Sequence, residues 1–387
     1  MMKKALFQTP ENDFHVRCAL CPDFCLIAPG KRGLCGTREN ISGVLYALNY
    51  GVISSEALDP VEKKPLNHFM PGTVTYSIGS FGCNFFCRHC QNHEISQTAR
   101  EYLVAGSDMA VIAGRPPFYT ELTPEDVIAR ALLSGAQSIS FTYNEPTVSY
   151  EFVRDVAVLA AAEGLPVILV TNGYISENAL NALLPYISAF RLDVKAFDPA
   201  AYEKITGSGK KIPRKAYETV LHSAVLARSA GCHIEVVTLL IPGVNDDREK
   251  LTAGFSEIFR LLGENTPVHL TAYHPAYESS APPTSPELIF DTMAIAKKAG
   301  FRFVYPGNIR LPPGSGLSDT ACPSCGNILI RRDGYRTDIC GISRETTDDG
   351  AEGNPGHQNK NESDCRTGLH DPVCRKCGRS VSAFIRM

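Results

Sequence analysis

GSFGCNFFCRHCQNHEIS, residues 79–96, follows the β-branched and aromatic run TVTYSI at 73–78, and this junction sets the reading of the whole chain. The run predicts a strand over Thr73–Ser80, and the loop after it carries Cys83, Cys87 and Cys90 as C-x3-C-x2-C. Three thiolates at this spacing suit a cubane iron–sulfur cluster whose fourth iron has no protein ligand. Structural zinc takes four protein ligands, and no fourth cysteine stands beside the triad, whose adjacent histidines are His89 and His93.

Outward from this loop, short β-branched runs alternate with amphipathic stretches as far as Tyr305. The strands are expected at Ser138–Tyr143, Pro166–Thr171, Ala189–Lys195, His233–Ile241, Val268–Tyr273 and Phe301–Tyr305. Helices are expected at Pro124–Leu133, Val148–Ala162, Glu177–Leu184, Lys215–Ser229, Asp247–Leu262 and Pro286–Lys298. Thr123 and Ser285, each followed by proline, fit N-caps. Gly135, Gly164, Gly231, Gly263 and Gly300 fit C-terminal caps. Such alternation means an α/β fold with a parallel sheet, and this many units predict a barrel or an open part-barrel.

Active sites of such barrels lie at the C-terminal ends of the strands. Asn144 and Glu145 follow the second strand, Thr171 and Asn172 close the third, Lys195 the fourth, and His274 follows the sixth. Together with Cys83 they predict one active site.

The segment around the three cysteines resembles the radical S-adenosylmethionine (SAM) superfamily. The resemblance implies that the open iron chelates the methionine amino and carboxylate groups of SAM. Reductive cleavage would then yield a 5′-deoxyadenosyl radical that abstracts hydrogen from substrate. The aromatic expected before the third cysteine is His89, which can stack on adenine. SFTYNEPT, with Asn144, Glu145 and Pro146, resembles a variant of the family's second-strand motif, whose carboxylate would accept from the SAM ammonium. TNG at Thr171–Gly173 and DVK at Asp193–Lys195 resemble activating enzymes of glycyl-radical enzymes, where these places hold the SAM carboxylate and ribose. By the same resemblance His274 lies near the methionine carboxylate.

Thirteen of the fourteen cysteines are grouped, which in a reducing compartment argues for metal ligation rather than disulfides. Cys18, Cys21, Cys25 and Cys35 suit structural zinc or a fully ligated auxiliary cluster equally well. Cys322, Cys325, Cys374 and Cys377 form two CxxCG knuckles and read as a zinc ribbon, with Cys340 and Cys365 as bystanders. Cys232 reads as a buried structural thiol.

Three regions are therefore expected. Residues 1–72 are cysteine-rich, 73–312 form the partial (β/α) barrel of the radical SAM type, and 313–387 are zinc-ribbon-like with a disordered insertion at 343–364. Lys63, Lys64 and His68, in the segment before the first strand, are candidates for the lip of the site.

Composition agrees with a globular enzyme, at 44% hydrophobic and 20% charged residues. A net charge of −3 gives no broad basic footprint for nucleic acid, although a short basic tail runs from Arg375 to Arg386. No apolar run reaches the roughly 18 residues of a membrane helix, and no secretory signal opens the chain, so no membrane partner and a cytoplasmic location are expected.

Across nearly the whole chain, the CxLCP element, DPxEKKPLxHFxPG, CxxCQNxEIS and the YPGN segment resemble the radical SAM protein of the AmmeMemoRadiSam system, a relative of pyruvate formate-lyase activating enzyme. That resemblance implies Memo-like and AMMECR-like partners and an electron donor such as flavodoxin or ferredoxin. It leaves the substrate open between a protein glycyl site and another peptide, RNA or small molecule. A non-enzymatic metal-binding module is the reading from another class.

Overall fold

The computed structural model describes residues 2–97, 119–207, 215–344 and 371–387. Its centre is one eight-stranded sheet of β1 (Ser55–Pro60), β2 (Val74–Gly79), β3 (Ser138–Phe141), β4 (Val167–Thr171), β5 (Ala189–Asp193), β6 (His233–Leu240), β7 (Val268–Ala272) and β8 (Val304–Gly307). Each strand pairs with its neighbours in sequence, in the order β8 to β1. Strands β2 to β8 are parallel, and β1 runs antiparallel to β2 on the edge. The edges β1 and β8 do not pair with each other, so the barrel is partial.

The crossovers are helical: α1 (Pro124–Leu133), α2 (Tyr150–Ala162), α3 (Glu177–Leu183), α4 (Pro199–Thr206), α5 (Ala216–Ser229), α6 (Arg248–Leu262) and α7 (Pro286–Lys298). The expected caps form. Thr123 and Ser285 accept from the backbone N–H groups of Asp126 and Leu288, and the five glycines all have positive φ. Two elements were not expected. SEALDP lacks the alternation that marks a strand, yet it pairs along β2; α4 is short and starts from the Asp198 cap. The last strand sits later than expected because its Pro306 is tolerated where only β7 pairs with it.

The N-terminal region adds two small antiparallel sheets, and Val16, Leu20, Ile27 and Leu45 join the same apolar core as the barrel helices. Arg38 and Glu151 of α2 form a fully buried ion pair across this junction, at 2.8 and 2.9 Å. Val61, Leu66 and Phe69 pack on Ile168 and Ala189 near the starts of β4 and β5, and so cover the barrel floor.

The C-terminal region contributes the strands Thr320–Ala321, Ile328–Asp333 and Arg336–Ile339, and a pair between Ile342–Arg344 and Pro372–Cys374. Its apolar residues share a core with Phe303 and Tyr305 at β8. Of the insertion expected at 343–364, Ser343 and Arg344 are paired strand; the rest of it and Cys365 lie outside the described residues.

Candidate functional site

Within the barrel lies a cavity of about 550 Å³. Cys83, Cys87 and Cys90 line one end, where β2 runs out into its loop. Gly82 has φ +85° and no room for a side chain, since a Cβ would meet Thr37 Cγ2 at 2.3 Å. Phe86 N donates to Thr206 O at the end of α4, at 2.7 Å, anchoring the middle of the loop. Phe85 N lies 3.3 Å from Cys83 Sγ and Ser96 Oγ 3.2 Å from Cys90 Sγ, contacts of the kind that tune thiolates. Burial pushes the Cys87 thiol up to about 11, so ligation there would be coupled to proton release.

The donor set fits a cluster with three protein ligands. His93 stacks on Tyr277 at 4.5 Å and is not among the residues that line the cavity with the cysteines. His89 lines the cavity, and burial, with Lys195 nearby, lowers it to about 4, leaving a neutral ring beside the cysteines.

Asn144, Glu145, Asn172, Asp193 and Lys195 line the same end. Asn144 accepts from Ser80 N at 2.8 Å and donates to Gly82 O at 3.0 Å, so it ties the β3 loop to the cysteine loop. Glu145 is buried and accepts four protein hydrogen bonds. Thr147 N, Thr147 Oγ1 and Thr171 Oγ1 reach Oε1 at 3.0, 2.7 and 2.7 Å, and Asn172 N reaches Oε2 at 2.8 Å. Burial still raises its carboxyl above the ordinary value. Its main work is to join the ends of β3 and β4, with room for one more donor at Oε2. Thr171 and Pro146 serve this brace and do not line the cavity.

Asp193 is shared by Arg191 and by Lys195, whose Nζ is 3.4 Å away. Burial alone would raise the Asp193 carboxyl, but these two cations hold it below the usual carboxylate range. Conversely, Asp193 outweighs burial at Lys195 and keeps the ammonium charged.

His274 joins Thr171 and Pro146 among the expected site residues that do not line the cavity. His274 is exposed and away from the cavity lining; Tyr273, one residue earlier, turns inward, bonds Ser279 and lies near His89. Of the lip candidates, Lys63 and Lys64 line the cavity, whereas His68 is in the floor. There it bonds Tyr305 at 2.6 Å, and burial lowers it to about 3.

Deeper in the cavity are groups that sequence reasoning missed: Arg191, His269 and Arg332. Arg191 could have been found, because a strand puts it on the same face as Asp193. Arg332 could not, since it arrives from the C-terminal appendage. Glu235 sits beneath them, held by His233, His269 and the N–H groups of Asn67 and His68.

The C-terminal cysteines converge differently. The sulfurs of Cys322, Cys325, Cys374 and Cys377 all lie within 4.8 Å of one another, with contacts of 3.8 and 3.7 Å across the two knuckles. Zinc–thiolate bonds of about 2.3 Å in a tetrahedron require sulfurs roughly 3.8 Å apart. The group fits a zinc-ribbon-like appendage. Cys340 instead points to the Ile328 carbonyl, and Cys232 is buried against Ile187 O.

Residues 77–253 match the model of the radical SAM superfamily. An uncharacterised protein of Methanocaldococcus jannaschii, MJ0808, is 38% identical over 346 residues, which span 89% of this chain and 96% of that one. The chain belongs to the radical SAM superfamily. Pyruvate formate-lyase-activating enzyme of Clostridium pasteurianum is 23% identical over 50% of this chain and 72% of its own. A radical SAM methyltransferase structure from Sphaerobacter thermophilus covers 67% of this chain and 71% of that one, at 17% identity and a TM-score of 0.45. The radical SAM chain is thus an enzyme whose family implies a [4Fe–4S] cluster and SAM. Among the described residues no helix is long and apolar enough to cross a membrane.

Proposed function

We propose that this enzyme takes a hydrogen from a small anionic molecule seated in the barrel lumen, beneath a SAM site formed at the strand ends. With a cluster on Cys83, Cys87 and Cys90 and SAM beside it, the chemistry supplied is reductive cleavage of SAM and hydrogen abstraction by the 5′-deoxyadenosyl radical. In this reading Lys195 faces the SAM carboxylate, Asp193 the ribose hydroxyls, and His89 the adenine. Asn144 and Asn172 position the loops, and Glu145 braces them.

One observation carries the choice of substrate. Arg191 and Arg332 line the lumen, and each has a buried Nε without a hydrogen-bond partner. Lys64 also lines the lumen, where it is paired with Asp59 at 2.7 Å. A carboxylate or phosphate in the lumen would pair with the guanidinium groups of these two residues. The C-terminal appendage also walls this end with Ser318, Arg332 and Tyr335, which favours a small molecule over a glycyl backbone.

The reading extends to the whole protein. Zinc on the four C-terminal cysteines would fasten the appendage that delivers Arg332. The sequence segments named above support membership of the AmmeMemoRadiSam system, with Memo-like or AMMECR-like proteins as partners and a flavodoxin or ferredoxin as donor, in the cytoplasm. The division at residues 72 and 312 stands as a proposal, with β1 of the N-terminal region pairing onto the barrel sheet.

The test compares SAM consumption by reconstituted enzyme with anionic metabolites and with a Memo-like protein, for wild type and Arg332→Gln. Stimulation by an anionic metabolite, with KM raised about tenfold or more in the variant, supports the reading. Stimulation by the protein alone, unaffected by Arg332→Gln, overturns it in favour of a protein site.

A further inference from the structure

Lys64 is a buried amine in the wall of the lumen, directly after the helical turn Val61–Lys63, and its side chain is 3% exposed. Its Nζ lies 2.7 Å from Asp59 Oδ2 and 5.5 Å from the centre of the Tyr143 ring. Tyr143 also lines the lumen, and its hydroxyl donates to the same Oδ2 at 3.1 Å.

Asp59 does not depend on Lys64 for its charge balance. Lys63, about half exposed, reaches the other oxygen, Oδ1, at 2.8 Å. When Lys64 gives up its proton, the carboxylate still faces one cation and the Tyr143 hydroxyl. The heavy cost of stranding a buried charge therefore does not arise. The amine is also primed to release that proton. Burial lowers the Lys64 ammonium in spite of Asp59, and repulsion from Lys63 and Arg191 acts in the same direction. Desolvation beside other cations is a general way to turn a lysine into a nucleophile near neutral pH.

An anion-binding group hangs from the same segment. Arg332 Nη2 donates to the carbonyl of Asn67, three residues beyond Lys64, and its Nη1 donates to Thr320 Oγ1 at 2.8 Å. Thr320 in turn bonds the Tyr305 hydroxyl at 2.8 Å, and Tyr305 bonds His68 at 2.6 Å. The amine and the guanidinium are thus fixed to one stretch, residues 64–68, and both line the lumen with Arg191.

We propose that Lys64 condenses with the carbonyl carbon of an oxo acid whose carboxylate pairs with Arg191 and Arg332, and so holds it as a protonated imine. The C–N bond forms, the C=O bond breaks, and the oxygen leaves as water with two of the three ammonium protons. No electron is gained or lost. The charge on nitrogen is the same before and after, so Asp59 keeps its partner in the imine. This rests on the proposed function for the anionic substrate and adds the carbonyl to its description.

The experiment treats anaerobically reconstituted full-length protein with pyruvate, 2-oxobutyrate, 2-oxoglutarate or, as a control without the carbonyl, succinate. Sodium cyanoborohydride then reduces any imine to a stable amine, and the adduct is located by peptide mass spectrometry. With at least one oxo acid, labelling should saturate at about one adduct per chain, on Lys64; succinate should give none. Half-labelling of Arg332→Gln should need at least tenfold more oxo acid. Lys64→Arg, which keeps a cation opposite Asp59, should lose the adduct, and the mapping in wild type decides the matter even where that variant misfolds. Lys64 unmodified by all three oxo acids, or labelled no more than the exposed lysines, overturns the proposal, as does labelling that is equal in Arg332→Gln. An unmodified Lys64 in an enzyme whose SAM consumption still responds to an anionic metabolite through Arg332 removes the imine and leaves the proposed function standing.

Discussion

Glu145→Gln removes one negative charge and almost no volume from the point where β3 and β4 meet the cysteine loop. The carboxylate serves two backbone N–H groups on different oxygens, Thr147 N on Oε1 and Asn172 N on Oε2. An amide has one acceptor oxygen, so whichever way the new side chain turns, one buried N–H loses its partner and meets an NH2 group instead. Losing a hydrogen bond to a charged group costs about 1.5–3 kcal/mol. At roughly 2–4 °C per kcal/mol, the expected fall in Tm is about 3–12 °C. The pair of measurements is thermal unfolding of the metal-loaded protein and SAM affinity by equilibrium binding. Full stability with SAM affinity reduced tenfold or more would refute the brace and make the carboxylate a ligand-binding group.

Three further perturbations probe the supports of the site. Arg38→Met strands Glu151 as a buried charge and should cost about 3–5 kcal/mol in denaturant unfolding; a loss under about 1 kcal/mol would show that the pair does not join the N-terminal region to α2. Gly82→Ala puts a Cβ 2.3 Å from Thr37 at a positive φ, and should lower iron retained at the central cysteines; wild-type iron content would contradict that tight contact. Cys374→Ser/Cys377→Ser should release about one zinc and loosen the C-terminal tail, measured by elemental analysis and limited proteolysis; unchanged zinc would remove this group as the zinc site.

Much of this was legible before the structure. The cysteine spacing and strand-end positions of Asn144, Asn172, Asp193 and Lys195 follow from local pattern, and all line one cavity. What the local pattern did not show depended on contacts made across the chain. Glu145 reads as a free carboxylate until Thr147, Thr171 and Asn172 are seen to occupy it. His274 lies off the cavity lining, because β7 ends at Ala272 and the residue after buried Tyr273 is exposed. Arg332 lies far along the chain from Arg191, and no periodicity links a β-hairpin of the appendage to a barrel strand. The N-terminal cysteines have a spacing that admits zinc or a cluster, and they line one small cavity.

The central claim is that Cys83, Cys87 and Cys90 sit at the head of a SAM site, and its direct measurement is 5′-deoxyadenosine formed from SAM by the reduced, iron-loaded protein. Wild type is expected to form this product. The variant with all three cysteines replaced by alanine should form none while its barrel remains folded by circular dichroism. Product formation by that variant, or its absence from wild type carrying a reduced central cluster, would contradict the assignment.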